Sequence, residues 1–165
     1  MPLRCPALII HHQAGKEYWA EQEVGDILFP YDINVSIERT PYRGVLLVYT
    51  KVDPSRAYRL VENEILTSID KVIPVSDCYL LEEPDEIPKF IEKFVKAILN
   101  GDCVNLLISL RGSLKHLEKT VISIVRKYLS TYRKCRSILY IESIDKLLLI
   151  GFVEDSAGNG AAAGS

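Results

Sequence analysis

The sequence has 165 residues, of which 48% are hydrophobic and 25% charged, with nine glycines and eight prolines. This composition excludes disordered, collagen-like and low-complexity chains. No apolar run reaches the roughly 18 residues that a membrane-spanning helix needs, and the first residues lack the layout of a secretory signal. We therefore expect a cytoplasmic protein of one or two small domains.

The four cysteines stand far apart, at positions 5, 78, 103 and 135. No close pair is present to bind zinc, and no dense disulfide framework is indicated. The spacing predicts reduced, structural thiols.

Charge is unevenly distributed along a chain whose formal net charge is only −2. Residues 111–136 carry eight basic side chains and one acidic one, whereas the remainder of the chain is net acidic. Segregation of this size usually marks a functional surface, because mixed signs would serve solubility equally well.

The first half of the chain alternates strand and helix patterns, bounded by Gly15, Pro41, Gly44 and Pro54. The predicted elements are a strand at Ala7–His11, a helix at 16–29, strands at 34–39 and 45–50, a helix from Pro54 whose apolar face includes Ile65, and a strand at 71–75. This order predicts a ferredoxin-like domain over residues 1–75.

The second half begins with acidic residues at 82, 83, 85 and 86, which suit the start of a helix. The predicted elements after this helix are a strand at 104–110, a long helix capped by Ser113, and a hairpin of strands at 137–142 and 146–153 that turns through Ser143 and Asp145. These elements predict a second domain over residues 76–154. Residues 155–165 are rich in glycine and alanine and predict a flexible tail. The expected fold class is α/β (α+β) in two domains.

Several residues invite a catalytic interpretation that their context does not favour. Adjacent His11 and His12 point to opposite faces of a strand, which disfavours chelation of one metal ion. Gly15 and Lys16 lack the earlier glycine of a phosphate-binding loop, and the loop after the first strand has no arginine for acyl-phosphate hydrolysis. Cys135 has neighbouring cations but no base nearby in sequence, so it is interpreted as a passive thiol. We predict no catalytic residue, metal or cofactor.

The basic segment predicts a phosphate-binding surface at its start. Arg111, Lys115 and Lys119 lie before or within the first turns of the predicted helix, where cations oppose the helix dipole. A phosphate bound at the Gly112 turn would reverse that penalty. Cations near the end of the same helix extend the basic face, namely Lys127, Arg133, Lys134 and Arg136.

Landmarks spread over residues 7–154 resemble the THUMP family of RNA-modification proteins, in particular the stand-alone proteins that assist tRNA cytidine acetylation. They include Gly15 with Glu17 and Ala20, the run from Tyr42 to Val45, Asp53 with Pro54, the run from Ile73 to Val75, and the strand that ends in Leu110, Arg111 and Gly112.

The resemblance implies a ferredoxin-like domain followed by a THUMP domain that binds tRNA. It implies a non-catalytic adaptor that presents tRNA to an enzyme partner such as a cytidine acetyltransferase, although a methylation or thiolation partner would leave the same marks. The alternative is a regulatory α/β module whose basic face binds an acidic protein, and a small-molecule hydrolase comes third.

Overall fold

The computed structural model describes residues 3–83, 85–99, 104–128 and 135–154. The chain divides into two compact units, one formed by residues up to Tyr79 together with Leu149–Gly151, and the other by residues 80–148 and the remainder. Two four-stranded sheets and four α-helices make up the described part of the chain. The α/β fold class predicted from the sequence is confirmed.

The first sheet has the strand order β2-β3-β1-β4, and every neighbouring pair is antiparallel. Its elements are β1 Leu8–His12, α1 Glu17–Leu28, β2 Ser36–Arg39, β3 Val45–Tyr49, α2 Pro54–Glu62 and β4 Ile69–Pro74. The helices connect strands that are separated by one antiparallel neighbour, which is the split β–α–β arrangement.

Apolar side chains at helical spacing explain how α1 and α2 bind one face of this sheet. Ala20, Val24 and Leu28 are buried on α1, and Ala57 and Val61 on α2. They belong to one hydrophobic cluster with alternate residues of the central strands.

The second helix starts as the sequence predicts but ends earlier. The Asp53 side chain caps it by accepting a hydrogen bond from the Ser55 N–H at 3.1 Å, with Pro54 in the first turn. The helix stops at Glu62, with Asn63 as its C-cap. Ile65, predicted on the apolar face, therefore lies beyond the helix and is 94% exposed.

The second sheet has the order β5-β8-β7-β6, in which β6 and β7 are parallel. Its elements are β5 Asp77–Leu80, α3 Glu86–Leu99, β6 Val104–Ser109, a 3-10 helix at Gly112–Leu117, α4 Glu118–Arg126, β7 Ser137–Ile144 and β8 Leu147–Val153. Parallel neighbours need a crossover connection, which runs through α4. The sequence interpretation missed β5 and placed Ser143 in the turn, whereas Ser143 lies within β7.

The cysteines differ from the prediction of reduced thiols, which is wrong for Cys5 and Cys78. These residues form a disulfide, with their Cα atoms 5.6 Å apart, inside the first unit. Cys135 is also disulfide-bonded. Sequence separation hides such pairs, because residues 73 positions apart become neighbours only after the sheets form.

No helix in the described part of the chain combines the length and the apolar character that crossing a membrane requires. The predicted tail at 155–165 lies outside the described residues.

Candidate nucleic-acid interface

The turn that follows β6 is fastened to the end of β7 through its backbone. The Arg111 N–H donates to Ser143 Oγ at 2.8 Å, and that hydroxyl donates to the Arg111 carbonyl oxygen at 3.1 Å. The Asp145 N–H donates to the same carbonyl oxygen at 3.2 Å. Gly112 follows with a φ of 76°, a left-handed conformation that favours glycine. This network fixes the path of the chain into the basic segment.

The basic segment then differs from the single long helix predicted from Ser113. Residues Gly112–Leu117 form a 3-10 helix without a side-chain cap, and α4 begins only at Glu118. The Glu118 carboxylate accepts a hydrogen bond from the Leu110 N–H at 3.3 Å. Lys115 consequently lies before α4, not in the first turn of an α-helix. The Gly112 turn therefore does not lead directly into the amino terminus of an α-helix, contrary to the sequence prediction.

Arg111 is engaged in an ion pair inside the second unit. Its two terminal guanidinium nitrogens lie 3.2 and 3.3 Å from Glu142 Oε1. The side chains are 18% and 4% exposed, respectively. Most of the charge of Arg111 is thus matched by a buried carboxylate. Sequence reasoning missed Glu142, although an acidic residue inside the apolar run of β7 is itself a signal of a buried pair.

Four exposed cations remain on the 3-10 helix, on α4 and at the end of α4, and we call them the basic stripe: Lys115, Lys119, Arg126 and Lys127. Within the described ranges, none of these side chains has a hydrogen-bonding or ionic partner. Lys119 and Arg126 are seven residues apart, about two turns of α4, and therefore lie on the same side of the helix. Arg126 was not among the predicted binding residues.

The basic stripe adjoins a groove that runs along the edge of the second sheet. Arg126 lines this open concavity of about 620 Å³ between β6 and α4, together with Glu118 and Ile122. Leu107 of β6 contributes a half-exposed apolar surface. The groove provides both a charged rim and an apolar wall.

The remaining predicted binding residues are only partly described. Arg136 is exposed and follows Cys135. Cys135 is disulfide-bonded, whereas the sequence predicts a passive free thiol at this position. Arg133 and Lys134 lie outside the described residues.

The side of the second unit that carries α3 has a different electrostatic character. The Tyr128 hydroxyl donates to Glu92 Oε1 at 2.9 Å, and Lys96 Nζ lies 3.7 Å from the same oxygen. Burial, followed by the hydrogen bond to Glu92, raises the pKa of Tyr128 above its ordinary value. Lys96 therefore has an ionic partner, unlike the cations of the basic stripe. Across the described part of the chain, no group of three or more histidine, cysteine or acidic side chains could hold a metal ion.

Comparison with known proteins gives matches among solved structures alone. No protein-family model matches the chain, and no curated protein matches it. The chain is similar in fold to TrmN from Thermus thermophilus, with a TM-score of 0.64 and 12% identity over 88% of this chain and 44% of that chain.

Two further structures are similar over most of this chain. PH1313 from Pyrococcus horikoshii has a TM-score of 0.56 and 12% identity, over 90% of this chain and 54% of that one. A 4-thiouridine synthetase, solved as an RNA complex with bound ATP, has a TM-score of 0.50 and 12% identity, over 91% and 41%. The chain spans about half the length of these proteins or less. At such low identity the similarity concerns the fold, and by its fold this chain is THUMP-like.

Proposed function

We propose that this protein binds tRNA and acts as a non-catalytic accessory protein in tRNA modification. The observation that carries the proposal is the basic stripe, four exposed cations that have no partner among the described residues of a chain that is slightly acidic overall. Exposed cations without an ionic partner are what a polyanion requires.

The fold similarity supports RNA as that polyanion. One similar structure is a 4-thiouridine synthetase in complex with RNA, and its likeness extends over 91% of the present chain. In the proposal the modifying enzyme is a separate polypeptide, such as a cytidine acetyltransferase, to which this chain presents the bound tRNA.

Binding to a folded tRNA is expected to weaken steeply with salt. Neutralisation of about four to six phosphates predicts a slope of roughly −3 to −5 in a plot of log affinity against log salt concentration. Fluorescence anisotropy with a labelled tRNA transcript measures this slope, in a titration of KCl from about 50 to about 300 mM. A flat response would contradict phosphate recognition.

Charge reversal locates the interface. The triple variant Lys115→Glu/Lys119→Glu/Lys127→Glu is expected to lower tRNA affinity by at least about 100-fold at low salt and to flatten the salt slope by about 3. The matched control is Lys89→Glu/Lys93→Glu, which reverses exposed cations of α3. Equal losses in both variants would show a diffuse charge effect with no defined interface.

The accessory role requires a separate experiment. Purified protein incubated with tRNA and acetyl, methyl or sulfur donors is expected to yield no modified nucleoside by mass spectrometry. Modification by the protein alone would refute the accessory role while leaving tRNA binding intact.

The second candidate is a module that binds an acidic protein through the same cations. The groove between β6 and α4, with its half-exposed Leu107, is the observation that favours it. Co-purification from source cells distinguishes the two candidates, because enrichment of tRNA supports the first and capture of an acidic protein without RNA supports the second.

A further inference from the structure

The first unit contains a cleft of about 250 Å³ that the basic stripe does not involve. His12 at the end of β1 lines it, together with Glu17 at the start of α1, Arg39 of β2 and the 40–44 turn between β2 and β3. These side chains come together because Arg39 pairs with Leu46 in the register of β2 and β3, while Leu46 pairs with Ile10 of β1.

The 40–44 turn lies close to β1 and forms one side of the cleft. Gly44 has a φ of 79°, and a Cβ atom there would lie 3.2 Å from the His12 carbonyl oxygen. The His12 N–H donates to the Gly44 carbonyl oxygen at 3.0 Å. Thr40 holds the other end of the turn, because its hydroxyl lies 2.9 Å from the Val45 carbonyl oxygen. The cleft is thus built from fixed backbone.

The position of the His12 ring follows from the strand register. Its register partner on β4 is Ile69, a member of the core beneath the helices, so the imidazole lies on the helix-covered face. The ring Nδ1 lies 2.8 Å from the Gln13 carbonyl oxygen, which can only accept. In the neutral ring, Nδ1 therefore carries the proton and Nε2 is an acceptor.

The Nε2 atom has no partner among the described residues, although His12 is only 8% exposed. No fully inaccessible side-chain nitrogen or oxygen in the described part of the chain lacks a hydrogen bond. Nε2 must therefore remain accessible at the surface, and the cleft that His12 lines supplies that access.

The charged groups around the cleft have mixed signs. Arg39 is engaged by Glu21, with Nε donating to Oε1 at 2.5 Å. Glu17 also attracts Arg39, because its carboxylate is, after that of Glu21, one of the charges that raise the Arg39 pKa. The exposed Arg43 has no ion-pair partner among the described residues. The carboxylate of Glu17 disfavours a bare phosphate ion, and the guanidinium of Arg43 disfavours a metal cation.

A ligand that fits must donate hydrogen bonds at one end and carry negative charge at the other. A ribose-phosphate unit has this chemistry. Its hydroxyls can donate to the Glu17 carboxylate and to His12 Nε2, and its phosphate can accept from Arg43. Its size also suits the cleft, which is smaller than the roughly 300–1,000 Å³ of sites that enclose drug-sized ligands.

We propose that the cleft between His12, Glu17 and Arg43 binds one ribose-phosphate unit and that its acceptors select ribose over deoxyribose. As a site on RNA, this cleft rests on the proposed function and adds discrimination between RNA and DNA, which the 2′-hydroxyl makes possible. The basic stripe neutralises phosphate charge on the RNA, whereas this cleft recognises the 2′-hydroxyl of one ribose.

The test uses the full chain with ring-labelled histidine and cytidine 5′-monophosphate as the probe. The sequence has three histidines, at positions 11, 12 and 116, so His11→Gln and His116→Gln identify the His12 resonance by elimination even if His12 itself cannot be replaced. We expect that resonance to shift saturably with the probe. Deoxycytidine 5′-monophosphate should bind about tenfold more weakly, as expected for the loss of a hydrogen bond to a charged group.

Variants separate the two ends of the ligand. Glu17→Ala should remove most of the preference for ribose, with Glu62→Ala on α2 as the matched control. Arg43→Gln should weaken both probes by a similar factor of about ten, with Arg59→Gln as the matched control.

Three results would overturn the proposal: a His12 resonance that does not respond to the ribonucleotide, one that responds equally to inorganic phosphate, or equal affinities for the ribonucleotide and the deoxyribonucleotide. Because the probe is a mononucleotide, each of these failures leaves tRNA binding by the basic stripe unaffected. Conversely, a Lys115→Glu/Lys119→Glu/Lys127→Glu protein should retain the His12 response.

Discussion

At the scale of single residues, the chain distinguishes cations that are used in the fold from cations that remain exposed. Arg111 lies in the strand-to-helix turn, where the sequence predicts phosphate contact, but its guanidinium faces the buried Glu142 carboxylate. Lys115 and Lys119 are exposed and have no partner within the described ranges. Proximity in sequence therefore does not imply a shared role.

Arg111→Met is expected to lower the free energy of unfolding by about 3 kcal/mol, because it removes the guanidinium that lies 3.2 Å from the buried Glu142 carboxylate. The double variant Arg111→Met/Glu142→Met should recover part of that loss. Urea denaturation of both variants measures the difference. If Arg111→Met preserved stability and abolished tRNA binding, Arg111 would be a phosphate contact, as the sequence prediction has it.

At the scale of elements, periodicity predicted the four α-helices and every strand of the described part of the chain except β5. Asp53 and Pro54 marked the start of α2, and the apolar spacing within residues 16–29 marked α1, which the structure forms over Glu17–Leu28. These signals are local, since a cap and an apolar stripe are properties of neighbouring residues.

Features that depend on distant residues were not predictable in this way. The 3-10 helix at Gly112–Leu117 continues the apolar spacing of α4, so periodicity merges the two. At their boundary the Glu118 carboxylate accepts a hydrogen bond from the Leu110 N–H, a contact that no local pattern reveals. The ion pair of Arg111 and the cleft at His12 likewise depend on strand register, which brings distant segments together.

Two glycines within secondary structure should respond oppositely to substitution by alanine. Gly25 of α1 has room, because a Cβ atom would meet only Ile37 Cδ1 at 3.7 Å. Gly25→Ala should therefore raise the unfolding free energy by about 0.5–1 kcal/mol.

At Gly151 of β8, a Cβ atom would lie 2.5 Å from the Pro74 carbonyl oxygen and 2.7 Å from Ile73 Cγ2. Gly151→Ala should lower the unfolding free energy by about 1–3 kcal/mol, the usual cost of overpacking. Thermal and urea unfolding of the pair check both signs, and a stabilised Gly151→Ala protein would contradict the close approach of β8 to β4.

At the scale of the whole molecule, the Cys5–Cys78 disulfide links the two ends of the continuous amino-terminal part of the first unit. It joins residues 73 positions apart. Cross-linking a loop of this length lowers the entropy of the unfolded chain and contributes about 4 kcal/mol in the loop-closure model.

Cys5→Ser/Cys78→Ser is accordingly expected to lower the unfolding free energy by up to about 4 kcal/mol. Its affinity for tRNA at low temperature should remain that of the parent, since neither cysteine belongs to the basic stripe. Unchanged stability in the double serine variant would show that the cross-link adds nothing to the fold.

The membership of Leu149–Gly151 in the first unit has a consequence for biosynthesis. The Ser76 N–H donates to the Ile150 carbonyl oxygen at 2.8 Å, yet Ile150 is translated 74 residues after Ser76. At ribosomal rates of about 5–20 residues per second, the nascent first unit waits roughly 4–15 s for this hydrogen bond. Both cysteines of its disulfide are already translated by then, so the Cys5–Cys78 bond can form before β8 has been synthesised.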